Sequence, residues 1–253
     1  MKLFHAWLSS ASRRVRLCLA EKNIPFESIA IDLGRQEQHS PAFLAMNPNG
    51  VVPALELAPG RFLHESSTIC EYLDDIAPEP PLRPRDPYAL ALMRNFIRWT
   101  DEKCLPNLLV LNWSQMLQPA AQQWSDAQLQ EKLQRIPTAE RREAWVRIAR
   151  KPYTEEEKAE ALRKLLLLVE RMEDMLAQGP WLMGAQFTLA DIAAAPFVAR
   201  IAEIAPDALE AATHPRVQGW WQAMRARPAF AAARLQPFGD ALREREQAAA
   251  AAS

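Results

Sequence analysis

Residues 47–68 read NPNGVVPALELAPGRFLHESST. Asn47-Pro48-Asn49-Gly50 is a loop, and Val52 to Leu57 has the composition of a strand. Pro53 cannot donate to a ladder, so it belongs at a sheet edge or at a special bond. A cis Val52–Pro53 bond would present the backbone of Val52 to a peptide-like ligand. Pro59-Gly60 is a tight turn, Arg61 to His64 a second strand, and Glu65-Ser66 begins a helix reaching about Ile76. Toward the N-terminus, Lys2 to Trp7 reads as a strand, Val15 to Lys22 as a helix and Phe26 to Ile31 as another strand. Asn23-Ile24-Pro25 stops that helix, because Pro disfavours the α region for its predecessor. Ser40-Pro41, a cap followed by a first-turn proline, opens a short helix through Met46. The order over residues 1–80 is β-α-β-α-β-β-α, an α/β domain.

In the other direction, Ala77 to Pro87 is a proline-rich linker, and only helical patterns follow over 88–238. Tyr88 to about Asn112 reads as one long helix. Thr154 to Glu157 is a capping box, followed by an apolar face of Leu162, Leu165, Leu166, Val169, Met172 and Leu176 and a stop at Gly179-Pro180. Thr188 to Asp191 is a related box with Phe187 and Ile192 at the staple positions, and Pro215 to Arg225 is a further helix. The Ala-rich tail, 239–253, reads as a frayed helix or disorder. Residues 113–153 form a polar insert: a solvated helix pair, or a lid bordering a pocket.

The chain has 253 residues, with 30 Lys and Arg against 31 Asp and Glu. This balance argues against nucleic-acid and anionic-membrane partners, which select a basic excess. The 7 glycines form neither G-x-G-x-x-G nor a Walker A loop, which disfavours a nucleotide cofactor. Cys18, Cys70 and Cys104 lie apart and read as buried apolar residues; with four scattered histidines they give no metal-ligand spacing, so no metal is expected. No apolar run approaches the ~20 residues of a membrane span, and the chain reads as cytoplasmic.

Three features could form one site. Ser9-Ser10-Ala11-Ser12-Arg13-Arg14 lies where the first strand feeds the first helix. The serines suit an N-cap, and the same junction also stabilises a thiolate or another anion. A redox thiol protein carries Cys-x-x-Cys there; this chain has Ser9-x-x-Ser12, whose hydroxyl can hydrogen-bond another molecule's sulfur. The proline-opened strand at Val52 and Pro53 is the second feature. The third is Glu65-Ser66, either a cap or a seat for an amino-acid head group: Ser66 and the helix amides for its carboxylate, Glu65 for its ammonium.

In order and spacing these motifs resemble the glutathione transferases, with a thioredoxin-like N-terminal domain and an all-helical C-terminal domain carrying Phe187-Thr188-Leu189-Ala190-Asp191-Ile192. The resemblance implies glutathione as co-substrate, Ser9 as the hydroxyl that holds its thiolate, Val52 beside Pro53 as the contact to the cysteinyl unit, and Glu65 with Ser66 at the γ-glutamyl end. Val51 departs from the family pattern, in which Lys or Gln can hold the glycine carboxylate; that end would be held by His39 or Gln38, or held weakly. Lowering a thiol pKa by one to two units needs ~1.4–2.7 kcal/mol. A hydrogen bond to a charged group supplies ~1.5–3 kcal/mol and a helix N-terminus ~0.3–1 kcal/mol. The resemblance also implies a homodimer and a small hydrophobic electrophile as second substrate. Trp7, Arg13, Arg98, Trp99 and Trp113 are candidates for its pocket, and a core role fits each Trp as well. The insert and the run 135–142 are similar to bacterial members that cleave aryl ethers or dehalogenate aromatics. Three readings stand: a glutathione transferase; a glutathione-dependent aryl-ether lyase, dehalogenase or isomerase; a non-enzymatic interaction protein on the same fold.

Overall fold

The computed structural model describes residues 1–235 and 237. The expectation for the tail lies outside them. Its N-terminal domain contains β1 (Lys2–His5), α1 (Ser10–Glu21), β2 (Glu27–Ala30), a 3-10 turn at Glu37–His39, α2 (Pro41–Met46), β3 (Ala54–Ala58), β4 (Arg61–His64) and α3 (Ser66–Ile76). The sheet order is β2-β1-β3-β4; β1 runs parallel to β2 and antiparallel to β3, and β3 pairs antiparallel with β4. This is the thioredoxin-like arrangement. β3 starts at Ala54 rather than Val52 because Pro53 has no N–H for the ladder. The Val52–Pro53 bond is cis, as is Glu79–Pro80.

The helical C-terminal domain comprises α4 (Pro87–Trp99), α5 (Leu105–Met116), α6 (Gln118–Ala121), α7 (Asp126–Gln134), α8 (Ala139–Arg150), α9 (Glu155–Met175), α10 (Leu189–Ile204), α11 (Pro215–Ala226) and α12 (Pro228–Ala232). The single helix expected from Tyr88 to Asn112 is instead α4 and α5 joined by a π turn at Thr100–Cys104. Pro106 explains the change. It offers no N–H to the Glu102 carbonyl four residues earlier and its ring crowds that carbonyl, so the ladder widens.

The capping boxes at Thr154 and Thr188 form as read, with Glu157 and Asp191 reaching back to the cap N–H groups. The buried stripe of α9 is Ala161, Leu165, Leu168, Val169 and Met172, while Leu162 and Leu166 sit at its half-buried margin. Asp191 is fully buried: its Oδ1 accepts the Leu182 N–H at 2.9 Å and the Trp220 indole N–H at 2.8 Å. Burial pushes its carboxyl up to about 6, against the pull of those bonds and of Thr188.

α1 lies between the domains, packing on α3 and on α10. Leu3, Val15, Leu19, Leu55, Ile69 and Leu73 from one side join Met93, Phe96, Leu165, Met172, Ile192 and Phe197 from the other in one continuous core. Ion pairs stitch the same seam: Arg14 to Asp101 at 2.7 Å, and Arg227 to Glu21 at 2.6 Å. All three cysteines are buried and free. The insert is not a solvated pair. α6, α7 and α8 enclose a second core of Leu129, Leu133, Ile136, Trp145 and Ile148, with Trp113, Trp124 and Tyr153 around it. Among the described residues no helix is long and apolar enough to cross a membrane.

Candidate active site

Ser9 is the N-cap of α1. It has extended backbone (φ −70°, ψ 122°), and its Oγ accepts the Ser12 N–H at 3.2 Å. The preceding turn is closed by Ser9 N–H donating to the Ala6 carbonyl at 3.2 Å, while Ser12 Oγ accepts the Ala6 N–H at 3.3 Å. The hydroxyl of Ser9 is thereby set at the positive end of a 12-residue helix. Trp7 belongs to the same turn. Its carbonyl accepts Arg13 Nε at 3.2 Å and Arg16 Nη2 at 3.1 Å, and the Arg16 and Arg234 guanidiniums lie 4.8 Å and 4.6 Å from its ring centroid. Arg13 and Arg16 are almost fully buried, and burial lowers their pKa to about 10 and about 9. His5, beneath this turn, is lowered to about 4 by burial and then by the Arg16 charge, so its ring is neutral. The head of α1 is thus a rigid, strongly cationic floor.

Glu65 caps α3 at φ +68°, a left-handed conformation that costs a glutamate ~1–3 kcal/mol and that the surrounding structure imposes. Ser66 Oγ accepts Arg14 Nη1 at 3.2 Å, and Arg14 also holds Asp101 of the π turn through two hydrogen bonds of 3.1 Å and 2.7 Å. The seat at the start of α3 is therefore backed by a cation that reaches into the helical domain.

On the other side, the 3-10 turn Glu37–His39 lies against the loop containing Gly50. Gly50 has φ +61°, and a Cβ there would stand 2.9 Å from His39 Cδ2 and 3.2 Å from Pro137 Cγ. Only glycine lets the loop, the turn and the insert converge so closely. Gln36, Gln38 and His39 are more than nine-tenths buried. Among the described residues, both amide atoms of Gln36, Gln38 Oε1, His39 Nδ1 and His64 Nδ1 have no hydrogen-bond partner. Burial, then the Arg141 charge, lowers His39 to about 4. Buried polar atoms without partners cost stability unless a ligand or water completes them. This set fits a zwitterionic peptide thiol: a carboxylate for its ammonium, a hydroxyl and helix amides for one carboxylate, and amide and imidazole groups beyond.

Of the expected pocket residues, Trp7 and Arg13 share the Ser9 turn. The other three lie on α4 and α5. Arg98 lies on the solvent face of α4, its side chain 76% exposed and facing Glu102 at 3.9 Å. Trp99, one position on and so turned ~100° around the helix, stacks on Phe96 and lies under Arg171 at 4.6 Å, packing on the main core. Trp113 leans on Trp145, with ring centroids 5.4 Å apart, at the edge of the insert's core. Sequence reasoning missed Arg14, Asp101 and Arg141. The charge of each is visible in the sequence, but pairing across 87 positions, as between Arg14 and Asp101, is not.

A hydroxyl at the first helix cap of a thioredoxin-like domain, a cis-proline just before the inner strand β3 and a head-group seat at the start of α3 suit a peptide-thiol-binding protein of two domains. Residues 3–81 match the family described as Glutathione S-transferase, N-terminal domain, and residues 138–228 match Glutathione S-transferase, C-terminal domain. Protein LigF of Sphingobium sp. is 33% identical over 236 residues, 91% of each chain. The crystal structure of the beta-etherase LigF superposes with a TM-score of 0.83 at 32% identity, covering 92% of this chain and 97% of that one. A theta-class glutathione S-transferase from Xanthomonas axonopodis pv. citri with glutathione bound gives a TM-score of 0.69 at 25% identity over 93% and 97%. Maleylacetoacetate isomerase of Pseudomonas aeruginosa is 42% identical over 116 residues, 44% of this chain and 55% of that protein. The chain belongs to the glutathione S-transferase family.

Proposed function

We propose that this protein is a glutathione-dependent ether-cleaving enzyme acting on a hydrophobic aryl ether. The observation that carries the reading is the likeness to the beta-etherase LigF, which extends over nine-tenths of both chains and through the insert, while the isomerase match covers less than half of this chain. Glutathione supplies the sulfur nucleophile: a C–S bond forms at the ether carbon as the C–O bond breaks, and the aryloxide leaves and takes its proton from water. The Ser9 hydroxyl donates a hydrogen bond to the thiolate, which the N-terminus of α1 also favours. Glu65 binds the γ-glutamyl ammonium; Ser66, fixed by Arg14, and the amides of α3 bind the adjoining carboxylate. Val52, beside Pro53, contacts the cysteinyl unit. Arg13 and Trp7 border the aryl substrate, where a buried cation favours the developing aryloxide charge.

Transfer to an electrophilic carbon without ether cleavage is the second reading, supported by the same thiolate site. The protein is expected to be retained on immobilised glutathione, released by free glutathione, and to liberate phenol from a model β-aryl ether. Phenol release without glutathione consumption or adduct formation would overturn the mechanism. Turnover of a model haloarene with no ether cleavage would establish the second reading. A homodimer is also proposed, with α4 at the interface, since Tyr88 and Leu92 stand exposed on it, Tyr88 by 72%.

A further inference from the structure

The site described so far leaves one charge of a tripeptide thiol unanswered. Glu65 and the start of α3 take the charges of the γ-glutamyl end, and Val51 brings no cation to the glycyl end. The groups on that side, Gln36, Gln38 and His39, are uncharged, since His39 is held neutral. They are also buried and unpartnered at the atoms named above.

The insert reaches this corner. Ile136-Pro137-Thr138 leads into α8, and Pro137 lies on Gly50 beside His39. The approach is fixed by Arg142, whose Nη1 donates to the Ile136 carbonyl at 2.7 Å and the Pro137 carbonyl at 3.1 Å, and by Thr138 Oγ1, which accepts the Arg141 N–H at 3.4 Å. Arg141 therefore stands in the first turn of α8, on the element that covers the 3-10 turn. Among the described residues its guanidinium makes no hydrogen bond or ion pair. Its charge is felt by His39, and the Glu65 charge partly offsets the effect of its burial. An Arg in the first turn of a helix adds its charge to the helix's positive end, which opposes its placement there unless an anion balances both.

We infer that Arg141, carried by the insert, receives the glycyl carboxylate of glutathione, with Gln38 and His39 beside it. This rests on the glutathione reading above. A planar guanidinium fits a carboxylate bidentately, and the neutral amide and imidazole of Gln38 and His39 bring no competing charge beside it. The insert is then part of the thiol site as well as a border of the aryl pocket, and it selects the complete tripeptide over its fragments.

The test compares two ligands on the full chain by calorimetry: glutathione, and γ-glutamylcysteine, which lacks the glycyl unit. The unmodified protein is expected to bind glutathione more tightly. Arg141→Gln is expected to weaken glutathione binding roughly 10- to 100-fold, to leave γ-glutamylcysteine within about 2-fold and so to erase the preference; Arg141→Lys should restore part of it. Equal loss for both ligands, as a collapsed insert or a role at the γ-glutamyl end would give, overturns the assignment. So does an unchanged preference in Arg141→Gln. Failure of the unmodified chain to bind either ligand removes the glutathione reading itself, and this inference with it.

Discussion

Ser9 Oγ accepts the backbone N–H of Ser12 at 3.2 Å, so the residue proposed to hold the thiolate is also the cap of the helix beneath it. The two roles use different parts of one hydroxyl. The oxygen satisfies an α1 amide, and the proton remains for sulfur. They are separable by substitution. Ser9→Ala removes both and should cost ~1 kcal/mol of stability, whereas Ser9→Gly at a cap costs only a few tenths. Both should raise the pKa of bound glutathione by roughly one to two units, read from thiolate ultraviolet absorbance, because each deletes a ~1.5–3 kcal/mol charge-assisted bond. A pKa shift that followed stability, large in Ala and small in Gly, would show that the cap and not the hydroxyl proton does the work.

Gly50→Ala should lower stability by ~1–3 kcal/mol and weaken glutathione binding, since the new Cβ meets His39 and Pro137 and the backbone is at φ +61°. Gly60→Ala is the control. Its φ of +76° carries a similar backbone cost, but its Cβ would meet nothing within 4 Å. Thermal denaturation with and without glutathione separates them: both variants melt earlier, and only Gly50→Ala loses part of the ligand-induced rise. Equal ligand-induced rises would mean that the Gly50–His39–Pro137 contact does not shape the site.

The elements that the sequence shows clearly are those with local signals. Ser40, Thr154 and Thr188 cap helices where their spacing to the next residues says they must, and Pro59-Gly60 turns the chain between β3 and β4. The π turn escaped because Pro106 reads equally well as the start of a new helix or as a break within one. The insert's core escaped because its helices bury few residues apiece, so their polar faces dominate the pattern while Trp113, Trp124 and Trp145 gather from separate elements. Ser9, Glu65 and Ser66 were legible as a motif. The cations that support them were legible only in part: Arg13 reads as a pocket candidate, but the burial of Arg13, Arg14 and Arg16 together follows from α1 lying between two domains, which no local pattern shows.

Acid should destabilise this protein between pH 6.5 and 4. His5 and His39 have folded pKa values lowered from 6.5 to about 4, so across that window the unfolded chain binds more protons, and stability is lost as pH falls. Asp191 acts oppositely. Its pKa, raised from 3.8 to about 6, means that its neutral form favours the fold below that range and that this contribution is lost as pH rises. Two histidines against one carboxyl leave the acid loss dominant. Melting temperature against pH should therefore fall below 6.5, less steeply in His5→Gln. In Asp191→Asn it should fall more steeply, from a baseline lowered by ~2–4 kcal/mol, because an amide N–H₂ cannot accept from Leu182, Trp220 and Thr188 together. Parallel curves for all three proteins would contradict this assignment.

Trp145→Ala should open the insert and little else. Trp145 is 3% exposed and lies 5.4 Å from Trp113 and 5.3 Å from Trp124, centroid to centroid, at the middle of a core that shares no buried residue with the main one. Truncating a buried Trp costs ~3–5 kcal/mol, as much as a core of this size holds, so α6 to α8 should loosen while α1, α3, α9 and α10 keep their packing. Limited proteolysis should then cut within residues 117–153 at protease levels that leave the rest intact. Near-ultraviolet circular dichroism should lose the indole contribution of the insert before the main melting transition. Glutathione affinity should fall as well, because Pro137 would no longer press the Gly50 loop against His39. A single transition with no preferential cleavage would show that the insert unfolds with the whole protein and that Trp145 stabilises both cores at once.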